Sequence, residues 1–169
     1  MAGCFACGEK IMSLSKAVDF VRSLKEKGKK IVFTNGCFDI LHRGHVRYLF
    51  EAKALGDVLV VGLNSDLSVK GIKGDTRPIQ DEVSRAEILA SLSFVDVVIL
   101  FDEETPLRLI LALEPDILVK GGDWRPEEIV GSKEVTQRGG VVRTIQYLPQ
   151  YSTTKLIERI LERFKDSKV

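Results

Sequence analysis

The sequence has little of what builds disulfide frameworks, membrane spans or secretion signals. Its 169 residues include three cysteines, two histidines and one tryptophan. A small, odd number of cysteines argues against a disulfide framework and indicates a reducing compartment. The longest apolar runs, such as residues 58–63 and 95–101, have strand length and are too short to cross a bilayer. No basic segment followed by an apolar run marks a signal peptide at the N-terminus. We therefore expect a cytoplasmic protein.

An excess of charge of one sign is also absent. Lysine and arginine number 25 against 24 aspartate and glutamate residues, so the formal net charge is +1. Bulk electrostatics therefore gives no reason to expect nucleic acid or an anionic membrane as a partner. Any affinity for phosphate has to come from the local placement of cations. The length fits one compact domain, and we predict an irregular lead-in over residues 1–12 and a single domain over residues 13–169.

Strand and helix patterns alternate along the chain, which predicts an α/β fold with a parallel sheet covered by helices on both faces. The first helix is predicted over Lys16–Lys27 after a Ser15 cap, and polar loops include Lys70–Pro78. In such sheets the carboxyl ends of the strands meet at one edge, where ligands bind. The polar segments 35–45, 64–78, 120–125 and 150–155 should therefore converge there. The continuous apolar runs that predict the strands are Ile31–Thr34, Val58–Leu63, Val97–Phe101, Ile117–Val119 and Val141–Ile145.

Both histidines lie in one stretch between the first strand and the next helix. His42 and His45 are three residues apart, so their rings share a face if both belong to a helical turn. A strand, a glycine turn and a helix start present backbone N–H groups and the helix dipole to an anion. This context favours a phosphate site with chemistry over two unrelated polar residues or a zinc site. Cys4 and Cys7 form a single C-x-x-C, which fits a plain tail better than zinc ligands.

Three motifs carry a resemblance to a known family. The stretch Asn35–His45 resembles the H-x-G-H signature of the cytidylyltransferase-like nucleotidyltransferases, and Lys120–Trp124 and Ser152–Lys155 look like that superfamily's later motifs. The fuller match resembles the heptose 1-phosphate adenylyltransferases. It includes Asn64–Asp66, Lys73–Pro78, Pro115–Asp123 and Gly131–Glu134. The resemblance implies a Rossmann-like three-layer αβα sandwich whose five-stranded parallel sheet has the order 3-2-1-4-5.

The resemblance also implies a reaction. AMP passes from ATP to D-glycero-β-D-manno-heptose 1-phosphate, giving ADP-heptose and pyrophosphate, by in-line attack on the α-phosphate. Because the attacking phosphate is already anionic, catalysis depends on positioning and charge neutralisation rather than on a strong base. The alternatives are a relative using CTP or GTP with another phosphate such as glycerol 3-phosphate, and a nucleotide-binding module without turnover. Mg²⁺ is expected with ATP and without a protein ligand, and the resemblance admits a homodimer.

The expected site residues fall into three groups. Those expected to act on the reacting phosphates are His42, His45, Lys73 and Arg85. Those expected to bind the sugar phosphate are Asp39, Lys70 and Arg77. Those expected to bind the nucleotide are Asn35, Gly36, Cys37, Phe38, Gly44, Gly121, Asp123, Trp124, Ser152, Thr153 and Thr154.

Some of these residues also have a purely structural reading. Asp39 either orients a histidine or caps its own turn, and Arg85 alternatively forms a surface ion pair. Trp124 stacks on adenine or packs in its loop. Gly121 and Gly122 would let the base approach the backbone. Ser152–Thr154 form a helix N-cap first of all, a role compatible with phosphate binding.

Overall fold

The computed structural model describes residues 5–165, with side chains from residue 8 onward. One parallel sheet holds all the strands of this region, in the order β3-β2-β1-β4-β5, which confirms the predicted sheet and its order. The three strands β1, β2 and β4 end one or two residues later than predicted, and β3 and β5 match. The strands are β1 (Ile31–Gly36), β2 (Val58–Asn64), β3 (Val97–Phe101), β4 (Ile117–Gly121) and β5 (Val141–Ile145).

Helices cover both faces of the sheet, and the sheet separates two hydrophobic cores. Phe33, Val60 and Leu109 belong to one core, and Leu59 and Leu49 belong to the other. All seven residues of β2 are buried because both of its faces are covered. Among residues 5–165, no helix is long and apolar enough to cross a membrane. The helices are α1 (Phe5–Lys10), α2 (Leu14–Lys25), α3 (Arg43–Lys53), α4 (Asp66–Lys73), α5 (Glu82–Ala90), α6 (Leu107–Leu113), α7 (Ser132–Gln137) and α8 (Thr153–Arg163).

Three aspartates fix where the strands begin. The carboxylate of Asp116 accepts a hydrogen bond from the N–H of Ile31 at 2.8 Å, and that of Asp96 accepts one from Leu59 at 2.7 Å. Asp57 accepts from the backbone N–H just before β1, at 2.8 Å. Because all neighbouring strands are parallel, their polar carboxyl ends come together at the opposite edge of the sheet.

The start of the chain differs from the predicted lead-in. Phe5–Lys10 form a helix, and the N–H of Met12 bonds to the carbonyl of Val98 at 3.0 Å as Ile11 bridges to β3. The edge of β3 offers unpaired backbone groups, and residues 11 and 12 use them. Cys4 and the side chain of Cys7, for which a plain tail was expected rather than a zinc site, lie outside the described residues. Helix α2 begins earlier than predicted, because Ser13 rather than Ser15 provides its cap.

The predicted polar loop over residues 70–78 is helical in its first part. Ser65 caps α4 by accepting a hydrogen bond from the N–H of Ser68 at 3.2 Å, and Ser68 and Val69 are buried. Burial of this face outweighs the helix-breaking tendency of Gly71. Lys70 and Lys73 therefore lie in the last turn of a helix rather than in a glycine-rich loop.

Arg85 is the largest of the fully buried side chains in the described region. Its guanidinium donates to the carbonyls of Cys37 at 2.6 Å, Asn64 at 2.8 Å and Gln80 at 3.0 Å. It also forms an ion pair with Asp66 at 2.7 Å. These groups belong to the segments that follow β1 and β2 and precede α5. Arg85 thus lies beneath these segments, and its guanidinium is bonded to them. This corrects two expectations, that Arg85 acts on the reacting phosphates and that it forms an ion pair on the surface.

We predict that Arg85→Lys destabilises the fold strongly. One ammonium cannot reach four acceptors, so buried carbonyls and a carboxylate lose their partner, and the free energy of unfolding should fall by about 3 kcal/mol or more. Urea unfolding followed by circular dichroism measures the change. The control is Arg108→Lys, whose exposed pair with Glu103 should matter by less than about 0.5 kcal/mol. An Arg85→Lys variant as stable as the control would contradict this role.

Candidate active site

A cleft of about 730 Å³ lies at the carboxyl edge of the sheet. Segments that follow all five strands contribute to its wall, including parts of each predicted segment, 35–45, 64–78, 120–125 and 150–155. The cleft also contains residues 104–106, 128–130 and 147–148, which are not among the expected site residues. The rule that sites follow strand ends would have found residues 104–106, because β3 ends at Phe101.

His42 and His45 stack against each other at the start of α3. Their ring centroids are 3.7 Å apart and the planes differ by 18°, so the predicted shared face exists. His42 is the N-cap residue, and its Nδ1 accepts a hydrogen bond from the N–H of His45 at 3.4 Å. Because Nδ1 accepts, the proton of the neutral His42 ring is on Nε2. His42 can therefore donate from Nε2 toward a ligand.

Burial keeps the His45 ring neutral. The pKa of His45 is lowered to about 4, first by burial and then by the neighbouring His42 ring. Burial lowers the pKa of His42 as well. The Nδ1 atom of His45 is buried and has no hydrogen-bond partner within residues 5–165. A buried polar atom without a partner is costly and rare, so this nitrogen fits a site that a ligand completes.

Two lysines supply positive charge without a counter-ion. Lys120, near the end of β4, places its Nζ 3.4 Å from Oδ1 of Asn35, and Lys73 lies in the same cleft. Neither lysine forms an ion pair with any residue that the structure describes. Burial lowers the pKa of Lys120, and Lys73 adds to that shift. Lys120 lies in the motif Lys120–Trp124 but is not among the expected site residues, although a charged residue at the end of a buried strand is a signal for a site.

Asp39 is buried and holds the loop that precedes α5. Its carboxylate accepts hydrogen bonds from Arg77 Nε at 2.7 Å, from Ile79 N at 2.9 Å and from Gln80 N at 3.0 Å. Burial alone would raise the pKa of Asp39, but these three bonds hold it below the ordinary value. The carboxylate thus neither orients a histidine nor caps its own turn, and its oxygens are not available for the expected sugar-phosphate site.

Of the other two residues expected to bind the sugar phosphate, Arg77 lies in the cleft wall and Lys70 does not. Arg77 lines the cleft and bonds to Asp39 through Nε. Its two other guanidinium nitrogens have no hydrogen bond to the described part of the chain. Lys70 is exposed on α4 and lies outside the cleft wall, unlike Lys73 one turn later.

Most of the residues expected at the nucleotide line the cleft. Asp123 does not: the chain turns at Gly122, where φ is +104°, and leaves Asp123 exposed. The residues in the wall are Asn35, Gly36, Cys37, Phe38, Gly44, Gly121, Trp124, Ser152, Thr153 and Thr154. A Cβ on Gly44 would lie 2.9 Å from Cε1 of His42, so the histidine ring needs a glycine there. Burial raises the pKa of the Cys37 thiol, which agrees with packing rather than a nucleophilic role.

Helix α8 brings its first turn to the cleft. Ser152 caps it by accepting a hydrogen bond from Lys155 N at 3.2 Å, so the predicted N-cap is present. Thr153 donates to the carbonyl of Asp39 at 2.7 Å, which links α8 to the segment after β1. No residue of α8 is buried, so the helix contacts the rest of the domain mainly through its first turn.

Three tyrosines in the cleft wall were not assigned from the sequence. The hydroxyl of Tyr48 is buried between Thr34 at 2.5 Å and the carbonyl of Val119 at 3.3 Å. Tyr151 lies against Arg43, with its hydroxyl 3.2 Å from Nη1, and Tyr147 lies beside the end of β4. Tyr147 and Tyr151 lie between β5 and α8, in a segment without a helix or strand pattern. The sequence therefore carried no signal for them except their aromatic side chains.

Comparison with known proteins gives a consistent set of relatives. The family model described as "Cytidylyltransferase-like" matches residues 33–159. The bifunctional protein HldE of Geobacter metallireducens is 53% identical over 155 residues, which are 92% of this chain and 32% of that protein. HldE of Histophilus somni is 55% identical over 150 residues, 89% of this chain and 32% of that protein. The chain thus spans about a third of the length of these relatives.

Solved structures agree with the family match. The lipopolysaccharide core biosynthesis protein from Thermoplasma volcanium GSS1 is 32% identical with a TM-score of 0.58, and the match covers 74% of this chain and 100% of that one. Pantoate-beta-alanine ligase from Francisella tularensis is 18% identical with a TM-score of 0.57, covering 94% and 81%, and shows a shared fold alone. The matched region, residues 33–159, contains the stacked His42 and His45, Lys120 near the end of β4 and the N-cap of α8, all in the wall of one cleft. The chain belongs to the cytidylyltransferase-like family.

Proposed function

We propose that this chain transfers AMP from ATP to D-glycero-β-D-manno-heptose 1-phosphate, giving ADP-heptose and pyrophosphate. The observation that carries the proposal is the stacked pair of His42 and His45 at the start of α3, with a buried ring nitrogen of His45 unpartnered. The identity of the sugar is supported by the motifs that resemble heptose 1-phosphate adenylyltransferases. Identity above one half with HldE proteins over most of this chain adds to that support.

The chemistry needs no strong base. An anionic oxygen of the sugar 1-phosphate attacks the α-phosphorus of ATP, and a new P–O bond forms. The bond to the oxygen that bridges to the β-phosphorus breaks, and pyrophosphate leaves with that electron pair. Negative charge builds on the α-phosphoryl oxygens and the leaving group, so fixed donors at those positions lower the barrier.

The cleft supplies such donors from several elements. His42 donates from Nε2 at the N-terminus of α3, where the helix dipole also favours an anion. Lys73 and Lys120 add positive charge that no described carboxylate neutralises. The unpaired guanidinium nitrogens of Arg77 suit the sugar phosphate, because two parallel N–H donors match phosphate oxygens.

Magnesium enters the proposal as part of the ATP substrate. The described residues gather no group of three or more histidine, cysteine, aspartate or glutamate side chains that would hold a metal ion. The oxygens of Asp39 are already engaged. We therefore propose that Mg²⁺ arrives on the ATP phosphates and keeps mostly water ligands. A reaction fed by ATP fits the cytoplasm, and the resemblance admits a homodimer.

Pyrophosphate release across a panel of substrates tests the function. ATP, CTP and GTP would each be combined with the β-anomer and the α-anomer of the heptose 1-phosphate and with glycerol 3-phosphate. We expect turnover with ATP and the β-anomer to exceed every other combination by at least about tenfold in kcat/KM. Turnover confined to CTP with glycerol 3-phosphate, or to GTP with the α-anomer, would contradict the proposal.

Substitution of the histidines separates an enzyme from a nucleotide-binding module. His45→Ala and His42→Asn should each lower kcat by about 10²- to 10³-fold, the usual loss for one transition-state donor. The Kd for ATP should change by less than about tenfold, because these donors act mainly on charge that develops during transfer. Asparagine is used at residue 42 because it keeps a helix cap. Equal losses of rate and of affinity would instead favour a binding module.

A further inference from the structure

The sheet forks at its carboxyl edge, between β1 and β4. The last paired residues of these two strands are Phe33 and Leu118. Each strand nevertheless runs three residues further, to Gly36 and Gly121, and stays paired on its outer side with β2 or β5. The strand order reverses between β1 and β4, which is where open α/β sheets bind ligands. The fork therefore opens directly into the cleft.

The hydroxyl of Tyr48 bridges this fork just beyond the last pair. It lies 2.5 Å from Oγ1 of Thr34 on β1 and donates to the carbonyl of Val119 on β4 at 3.3 Å. Since its one proton goes to Val119, the Thr34 hydroxyl donates to Tyr48. Thr34 and Val119 are fully buried and Tyr48 is 7% exposed. Burial raises the pKa of Tyr48, so the hydroxyl keeps its proton and links the strands where their ladder has ended.

The next residues across the fork are Asn35 and Lys120. The Nζ atom of Lys120 is 3.4 Å from Oδ1 of Asn35, which is too long for a hydrogen bond that fixes the lysine by itself. Lys120 directly follows Val119, the residue whose carbonyl Tyr48 holds. The place of Lys120 in the cleft therefore depends on the width of the fork.

Tyr48 also belongs to the helix that carries the histidines. It lies three residues after His45 on α3, so the two side chains share a face. Leu49 and Ala52 are fully buried in the same core as the Tyr48 ring and hold α3 against the sheet without the hydroxyl. Through Tyr48, α3 is hydrogen-bonded to both strands of the fork.

We propose that Tyr48 is a positioning residue, whose hydroxyl sets the width of the fork and so positions Lys120 relative to His42 and His45. The proposal rests on the proposed function, because it concerns how a cation and the histidine donors are aligned for that transfer. Lys120 supplies charge where negative charge develops, and a displacement of about 1 Å in such a site can cost about 100-fold in rate. Tyr48 itself needs no contact with either substrate.

Removal of the hydroxyl tests the proposal by kinetics. Tyr48→Phe keeps the ring in the core, and we expect kcat for pyrophosphate release to fall by about 10- to 100-fold. The KM values for ATP and the sugar phosphate should stay within about threefold, because Lys120 acts mainly on charge that develops during transfer. Thr34→Val breaks the same bridge from β1 and should have a similar effect. Added to Tyr48→Phe, it should cause no further loss.

Two further variants separate positioning from a loss of stability. Val21→Ala truncates a buried side chain of α2, in the other core, so it should lower the Tm and leave kcat unchanged well below that temperature. In a Lys120→Met background, Tyr48→Phe should lower kcat by less than about threefold, because the group that it displaces is gone.

Several outcomes would overturn the role of Tyr48. Wild-type kcat in Tyr48→Phe would do so, and so would an equal loss with and without Lys120, or a rise in KM alone. Crystal structures of the wild type and Tyr48→Phe measure the fork without turnover. We expect the distance from Thr34 to Val119 to change, and an unchanged distance would also overturn positioning. A wild type that releases no pyrophosphate with any sugar phosphate would overturn the proposed function, and the comparison of the two structures would still decide the role of Tyr48.

Discussion

The bonds of the buried Arg85 guanidinium hold the cleft together. They tie the carbonyls of Cys37 and Asn64, at the ends of neighbouring strands, to the segment before α5. Asp39 acts as a second buried anchor, because its carboxylate holds residues 77–80 and its carbonyl accepts from Thr153 of α8. Burying charge is costly unless every bond is made. Arg85 and Asp39 both form these bonds, so they hold the loops around the cleft in one arrangement. The cleft is preorganised as a result.

Preorganisation determines the chemistry that the cleft can perform. The backbone at residues 42–45 is fixed, so His42 caps α3 and its proton is held on Nε2. Burial keeps His45 neutral, with a pKa of about 4, and the lysines have no carboxylate partner in the described region. Such a site offers hydrogen-bond donors and positive charge. It therefore suits transfer between two phosphates, where positioning and charge neutralisation dominate.

The sequence predicted the architecture because each strand is an apolar run and each crossover returns to the same edge. It predicted that the two rings meet from their spacing at a helix start, although His42 is the extended N-cap residue and only His45 lies within α3. It did not predict Arg85 as an anchor, since its partners come from segments 21 and 48 residues away. The helix at 66–73 was missed because burial against the sheet, not propensity, stabilises it. The sequence also contained no sign that Asp123 lies outside the cleft wall, because that position follows a turn with positive φ at Gly122.

The central claim is that one cleft at the carboxyl edge of the sheet holds both substrates, with the reacting phosphates at the start of α3. A crystal structure with a non-hydrolysable ATP analogue and the heptose 1-phosphate tests it most directly. We expect the α-phosphate beside His42 and His45 and the sugar phosphate near Arg77. A triphosphate away from the start of α3, or a sugar phosphate away from Arg77, would contradict the claim.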